Sequence, residues 1–286
     1  MTHPSTTAAP PADLAAQYDE FHTARARSTL TARLYAAAMG DDYPEEVAAS
    51  SSCDWPLLGL MAARLRMRPG QLLVDAGCGT GGVGLWLARA LAVGLEGLDI
   101  SPVAVDQATF RRIRFGVPAG FRVASLEATG LPDAFAHGVV CVDALTLASN
   151  RAHAVRELGR LLAPGGRLVL TRALRSGAHP LWEEQARAAG LVVEHVDERP
   201  AEPAMWARLY QLWIDHEDEL RRELGDDQAD NMLQEARKRL PALPGRRAVL
   251  LTLRRSPAEP SALGTADTMT GPGRPDGPAS TERTPE

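Results

Sequence analysis

Leu72-Leu73-Val74-Asp75-Ala76-Gly77-Cys78-Gly79-Thr80-Gly81-Gly82-Val83-Gly84-Leu85-Trp86 is the stretch whose reading decides the fold. The run from Leu72 to Ala76 has the length and composition of a parallel strand buried on both faces. Glycines at Gly77, Gly79, Gly81 and Gly82 break it, and Val83, Leu85, Leu87 and Leu91 then open an apolar-periodic helix. A glycine-built strand-to-helix turn lets a ligand touch the backbone, because no Cβ stands in the way. The helix behind it offers free N–H groups to a polar ligand.

Two nucleotide-type cofactors use such a loop. Gly77, Gly79 and Gly82 satisfy G-x-G-x-x-G, and Asp99 follows at about the 20-residue spacing of the dinucleotide fingerprint. Asp75, two residues before the first glycine, weighs against that reading. A carboxylate at this strand end repels a diphosphate but suits a cation, and S-adenosylmethionine carries both a sulfonium and an ammonium group. The spacing D-x-G-x-G-x-G, with Asp75, Gly77, Gly79 and Gly81, resembles motif I of the class I S-adenosylmethionine-dependent methyltransferases. The resemblance implies cofactor contacts from Asp75, Gly77, Gly79, Thr80 and Gly81.

The chain has 286 residues, 45% of them hydrophobic, enough for one α/β domain with additions. A net charge of −5 argues against a broad nucleic-acid footprint. Cys53, Cys78 and Cys141 show no metal spacing and suit a reduced, cytoplasmic protein. No signal peptide and no membrane span is expected, since neither a basic-then-apolar leader nor an apolar run of about 18 residues occurs.

Residues 1–11 and 257–286 read as disordered ends. A helical segment follows the first, with Leu14, Tyr18 and Phe21 on one face and Leu30 and Leu34 beyond, broken at Gly40 to Pro44. Asp54 reads as the N-cap of a helix carrying Leu57, Leu60, Met61 and Leu65. Strands and helices then alternate, the signature of a parallel sheet. The strands expected are 72–76, 93–100, 121–125, 138–142, 167–172 and 191–196. The helices expected between them include 102–115, opened by Ser101-Pro102, then 150–162 and 180–189. Glu202 to Leu240 breaks the alternation as a largely helical excursion, and Ala248 to Leu253 returns as a seventh strand.

The resemblance extends over roughly residues 70–255. It implies a Rossmann-like, seven-stranded, mostly parallel α/β sheet flanked by helices, with the last strand antiparallel and a helical lid. The organisation expected is an N-terminal helical cap over 12–69, a cofactor-binding core over 70–200 plus 246–256, and a lid over 201–245. In the stretch Leu95 to Pro102, Asp99 matches the family's acidic residue that grips both ribose hydroxyls, and Ile100 is placed against adenine. A carboxylate accepts two hydrogen bonds and a cis-diol donates two. At Ser125 the family often has an aspartate that holds the adenine amino group; Ser125 departs from this, while Leu126 offers its backbone N–H. Arg156 to Leu168 resembles the family's helix, turn and entry to strand five. Asp143 and Tyr18 are further candidates for cofactor contact.

The cap and lid resemble those of quinone- and natural-product-type methyltransferases, where they cover the acceptor. Trp206, Tyr210 and Trp213 fall at i, i+4 and i+7, one helical face. That face either lines an apolar acceptor pocket or packs the lid on the core. Tyr43 and Thr146 join them as candidate acceptor contacts. Many relatives carry a histidine after strand four; here that place reads Asp143-Ala144-Leu145-Thr146, so no catalytic base is assigned. No metal cluster and no N-P-P-Y or D-P-P-Y nucleic-acid signature occurs. The expected activity is methyl transfer from S-adenosylmethionine to an O or C nucleophile, with N left open, of a hydrophobic natural-product-like molecule. A methyltransferase-fold cyclase or binding module and a nicotinamide oxidoreductase remain as alternatives, and a homodimer is left open.

Overall fold

A computed structural model describes residues 12–175 and 177–256. The ends expected to be disordered, 1–11 and 257–286, lie outside the described residues. In chain order the elements are α1 (Ala12–Ala26), α2 (Leu30–Met39), α3 (Trp55–Leu65), β1 (Leu72–Ala76), α4 (Gly82–Leu91) and β2 (Gly94–Asp99). They continue with α5 (Pro102–Phe115), β3 (Ala119–Val123), β4 (Ala136–Cys141), α6 (Arg151–Arg160), β5 (Leu162–Leu174) and α7 (Trp182–Ala188). The chain then forms β6 (Leu191–Glu198), α8 (Glu202–Asp215), α9 (Glu217–Leu224), α10 (Asp226–Arg239) and β7 (Arg247–Arg255).

The seven strands make one open sheet in the order β3-β2-β1-β4-β5-β7-β6, with β7 antiparallel to both of its neighbours. Period-two alternation sorts the strand side chains into two cores. Val74, Ala76, Val139, Cys141, Leu168 and Leu170 face α6 and α7. Leu73, Val140, Val142, Val169 and Leu250 face α3 and α4. Three helix starts are fixed by side-chain caps, at Asp54 and Ser101 as expected and at Asn150 in addition. Asp54 accepts from Leu57 N at 2.8 Å, Ser101 from Ala104 N at 3.1 Å, and Asn150 from His153 N at 3.0 Å. Such caps contribute about 1 kcal/mol each.

A third core lies away from the sheet and joins α2 to α8, α9 and α10 through Leu30, Leu34, Tyr35, Leu209, Tyr210 and Leu233. The segment 12–69, grouped above as one cap, therefore divides. Leu57, Leu58, Met61 and Leu65 of α3 pack on the sheet beside Leu73 of β1, while α2 packs with the excursion. α1 is pinned to the start of α5, where Asp19 accepts from Ser101 Oγ and Val103 N. A carboxylate is favoured at a helix N-terminus.

Most strand boundaries shift by one or two residues from expectation, and in β3 and β5 the cause is visible. β3 runs 119–123 and not 121–125, because Ser125 Oγ accepts from Ala128 N at 3.0 Å and turns the chain out of the sheet. β5 begins at Leu162 and not at Arg167: Pro164-Gly165-Gly166 does not end the preceding helix but forms an irregularity, with the β4 register shifting between Ala136 and Gly138. Gly165 there has φ +80°. No helix among the described residues is long and apolar enough to cross a membrane.

Candidate active site

Strand order reverses between β1 and β4, and open α/β sheets bind ligands at the carboxyl ends beside such a switch point. There a cavity of about 380 Å3 opens between the strand ends, α1 and the lid helices. Its floor is the quoted turn. Gly77 has φ +76° and Gly79 φ +51°, backbone that L side chains rarely adopt. A Cβ on Gly77 would lie 2.3 Å from that of Ala144, so glycine is required where the β1 and β4 loops meet. Thr80 lines the cavity and takes a hydrogen bond from Arg111 Nη1 at 3.1 Å. Gly81 faces the other way, since a Cβ there would meet Ala108 and the Phe121 ring at 3.0 Å. It lies behind the floor and is not among the cavity residues.

Three aspartates stand at three adjoining strand ends. Asp75 is buried, and its Oδ2 accepts from Gly84 N at 2.9 Å. Burial pushes its carboxyl up from 3.8 to about 7, against the pull of the Gly84 bond. Asp99 accepts from Gly79 N at 2.8 Å on Oδ2 and from Ser101 N at 3.0 Å on Oδ1, and burial raises its pKa as well. Each oxygen keeps a second lone pair, so Asp99 retains the capacity to accept from a diol. Asp143 has φ +55°, and Thr171 holds it there: the Thr171 hydroxyl accepts from Asp143 N and donates to Asp143 Oδ1, both at 2.8 Å. Asp143 Oδ2 takes the Ser52 N–H at 2.7 Å, which draws residues 50–52 over the cavity. Buried Arg199 fixes the same loop through Ser52 Oγ at 2.9 Å and Ser52 O at 2.6 Å. Asp143 thus works first as an anchor.

Ile100, Ser125 and Leu126 line the cavity next to Asp99, on the side expected for the base of a nucleoside. Above them, Tyr18 lies under the fields of Asp99 on the floor and Glu235 on α10, and burial is the main cause that raises its hydroxyl to about 12. Thr146 lines the cavity, its hydroxyl donating to Asp143 O at 3.3 Å. Tyr43 does not line it: that side chain packs at the border of the third core, with Arg111 and Glu45 as its charged neighbours.

The α8 aromatic face both borders the cavity and packs in the lid core. Trp206, Tyr210 and Trp213 line the cavity, and Tyr210 and Trp213 are also buried in the lid core. Trp206 stacks on Tyr210 with centroids 5.3 Å apart, and Tyr210 meets Trp213 edge-on at 5.3 Å. Tyr210 donates to Glu235 Oε1 at 3.2 Å, and burial raises its pKa strongly.

Several cavity residues escaped the sequence reading. His22 and Arg25 follow Tyr18 at i+4 and i+7 on α1, so helical spacing from Tyr18 would have found them. His22 is buried and its pKa falls to about 4, mainly from desolvation and then from Arg25, so the ring is neutral at pH 7. Tyr35, Arg172 and Glu235 also face the cavity, and only the packing of distant segments brings them there.

The donor set fits S-adenosylmethionine. Gly79 is open on the cavity side, where a Cβ would find only His22 at 3.6 Å. Buried carboxylates stand ready for cationic and diol groups, and apolar Ile100 and Leu126 for a base. Among the described residues there is no group of three or more His, Cys, Asp or Glu side chains able to hold a metal ion.

The chain is similar to known methyltransferases. The family described as "Methyltransferase domain" matches residues 74–170. The 27-O-demethylrifamycin SV methyltransferase of Amycolatopsis mediterranei is 32% identical over 130 residues, covering 45% of this chain and 48% of that protein. The chain thus spans about half the length of that curated relative. The ubiquinone biosynthesis O-methyltransferase of Xanthomonas campestris pv. campestris is 30% identical over 166 residues, covering 55% of this chain and 68% of that protein. The solved structure of the [4+2]-cyclase SpnF superposes with a TM-score of 0.67 over 86% of this chain and 96% of its own, at 20% identity, a likeness of fold alone.

Proposed function

Since the chain belongs to the class I S-adenosylmethionine-dependent methyltransferases, we propose that it transfers a methyl group to an O or C nucleophile of a hydrophobic small molecule of natural-product type. One observation supports this most: the glycine turn, Asp75 and Asp99 face an aromatic-lined lid across a single cavity. The cofactor supplies an electrophilic methyl group on a sulfonium. With the cofactor bound, Asp99 would hold the ribose hydroxyls, the Gly77–Gly79 backbone would leave room for it, and Ile100, Ser125 and Leu126 would hold the base. Asp75, when ionised, would offer negative charge to its cationic groups. Trp206, Tyr210 and Trp213 on the lid side present apolar faces to the acceptor and exclude water. Residues 12–39 and 201–245 act together as the lid, and a cytoplasmic setting accords with three buried free thiols.

Asp143 and Thr171 position the 50–52 loop, and proximity does much of the remaining work. A nucleophile with a low pKa needs no base beyond the solvent. Tyr210, with its raised pKa, stays protonated and is a hydrogen-bond donor.

Calorimetric titration with S-adenosylhomocysteine and, separately, with NAD tests the reading. Micromolar binding of the former alone is expected, followed by label transfer from S-adenosylmethionine to an aromatic acceptor in a screen. Binding of NAD alone would return the chain to the oxidoreductase alternative. Cofactor binding without any transfer would favour a cyclase or binding module.

A further inference from the structure

The cavity is electrically divided. The strand ends carry Asp75, Asp99 and Asp143, whereas arginines reach it from α1, β5 and the lid. Three of those arginines are already engaged. Arg199 holds Ser52, Arg246 pairs with Glu202 at 2.7 Å, and Arg239 pairs with Glu235 at 3.1 Å. Two are not. Arg25 lies with its guanidinium 3.7 Å over the Phe21 ring, and its Nη1 is buried without a hydrogen-bond partner among the described residues. Arg172, near the carboxyl end of β5, lines the cavity and has no carboxylate in salt-bridge contact among the described residues, and burial lowers its pKa.

A second orphan points the same way. Trp213 is only 3% exposed, lines the cavity and leaves its Nε1–H unpartnered. Four buried side-chain nitrogen or oxygen atoms lack partners among the described residues, and two of them, on Arg25 and Trp213, belong to this cavity. Both are donors. Buried donors are nearly always satisfied in folded proteins, so such a pair marks the place of a ligand acceptor. Arg25 shares the cavity with Tyr18, Tyr35 and Glu235, and these lid and α1 groups act on its guanidinium.

We propose that the acceptor is a planar aromatic carboxylate, whose anionic oxygens take the donors of Arg25, Arg172 and Trp213 while its ring lies against Trp206 and Tyr210. This rests on the methyltransferase reading and adds to it the charge and shape of the substrate. An anion also suits the balance of the loaded site, where the cofactor's sulfonium would stand beside it.

Protein saturated with S-adenosylhomocysteine is titrated calorimetrically with 2-naphthoate and with its neutral isostere 2-naphthamide. Wild-type protein should bind the acid at least about tenfold more tightly than the amide, the preference of a charge-assisted contact over a neutral one. Arg25→Gln and Arg172→Gln should each reduce that preference, Arg25→Lys should restore part of it, and Trp213→Phe should weaken acid and amide alike. S-adenosylhomocysteine affinity should stay within about twofold in all four variants. If Arg25→Gln fails to fold, Arg172→Gln and Trp213→Phe decide. Equal affinity for acid and amide, binding of neither, arginine variants that keep the full preference, or a Trp213→Phe protein that binds both as tightly as the parent would overturn the proposal. So would an Arg25→Gln protein that loses S-adenosylhomocysteine but still prefers the acid, since Arg25 would then serve the cofactor. Wild-type protein that binds no S-adenosylhomocysteine would fail the underlying reading instead, and the two failures are separable.

Discussion

The Asp75 carboxylate accepts the backbone N–H of Gly84 at 2.9 Å, tying the end of β1 to the first turn of α4. The contact leaves no room for a side chain on the helix. A Cβ at Gly84 would stand 2.6 Å from Asp75 Oδ2 and 2.9 Å from its Cβ. Gly84→Ala should therefore lower stability by roughly 1–3 kcal/mol, the usual cost of overpacking. Urea denaturation of the variant and the parent measures it, and an unchanged midpoint would contradict the packing described.

Asp99 satisfies two backbone donors, Gly79 N and Ser101 N, from its two oxygens. Asp99→Ala removes both partners and the ribose acceptor together. S-adenosylhomocysteine affinity should fall by roughly 1–3 kcal/mol, about five- to 150-fold, as expected for hydrogen bonds to a charged acceptor. Thermal stability should fall as well, because the Gly79 amide loses its partner. Calorimetry on the variant reads the first effect, and unaltered affinity would remove Asp99 from the ribose.

Much of this floor was legible in the sequence, because it is local. The strand from Leu72, the glycine turn and the cap at Ser101 all lie within one βαβ unit, where period and capping chemistry fix the geometry. The acceptor half was legible only in part. Trp206, Tyr210 and Trp213 share a helical face and could be picked out by spacing, but Tyr35, Arg172 and Glu235 meet only after α2, β5 and α10 have packed. Tyr43 shows the converse: an aromatic beside a glycine break looked available, yet the turn Gly40–Asp42 directs it to the edge of the lid core. Ser125 closes the expected strand 121–125, but its own hydroxyl turns the chain out of the sheet, a local hydrogen bond that strand patterning does not reveal.

Thr171 both accepts from Asp143 N and donates to Asp143 Oδ1, and it keeps Asp143 at φ +55°. Thr171→Val preserves shape and removes both bonds. Stability should drop by roughly 1–3 kcal/mol, since a part-buried N–H is left without its acceptor. The Ser52 contact of Asp143 should loosen with it, so amide exchange of residues 50–52 should quicken. Protection at those amides equal to the parent's would show that Arg199 alone holds the loop.

Asp75 and His22 make opposite contributions to stability across the same pH window. The Asp75 carboxyl is raised from 3.8 to about 7, so its neutral form is the one the fold favours. That stability is present below the unfolded pKa and is lost as pH rises through about 7, an effect of roughly 4 kcal/mol. His22 is lowered from 6.5 to about 4, so the fold favours its neutral form too. Its stability is present above the unfolded pKa and is lost as pH falls through about 4, an effect of roughly 3 kcal/mol. Between pH 4 and pH 7 the two nearly cancel in the parent. Separating them exposes each slope: relative to the parent, Asp75→Asn should gain stability as pH is raised from 4.5 to 7.5, and His22→Gln should lose it. Guanidinium denaturation of the ligand-free proteins at the two pH values checks the signs. The cationic cofactor favours ionised Asp75, so S-adenosylmethionine affinity should strengthen over the same rise in pH for the parent and stay flatter for Asp75→Asn. A parallel pH response in parent and both variants would mean that neither group changes its charge state on folding.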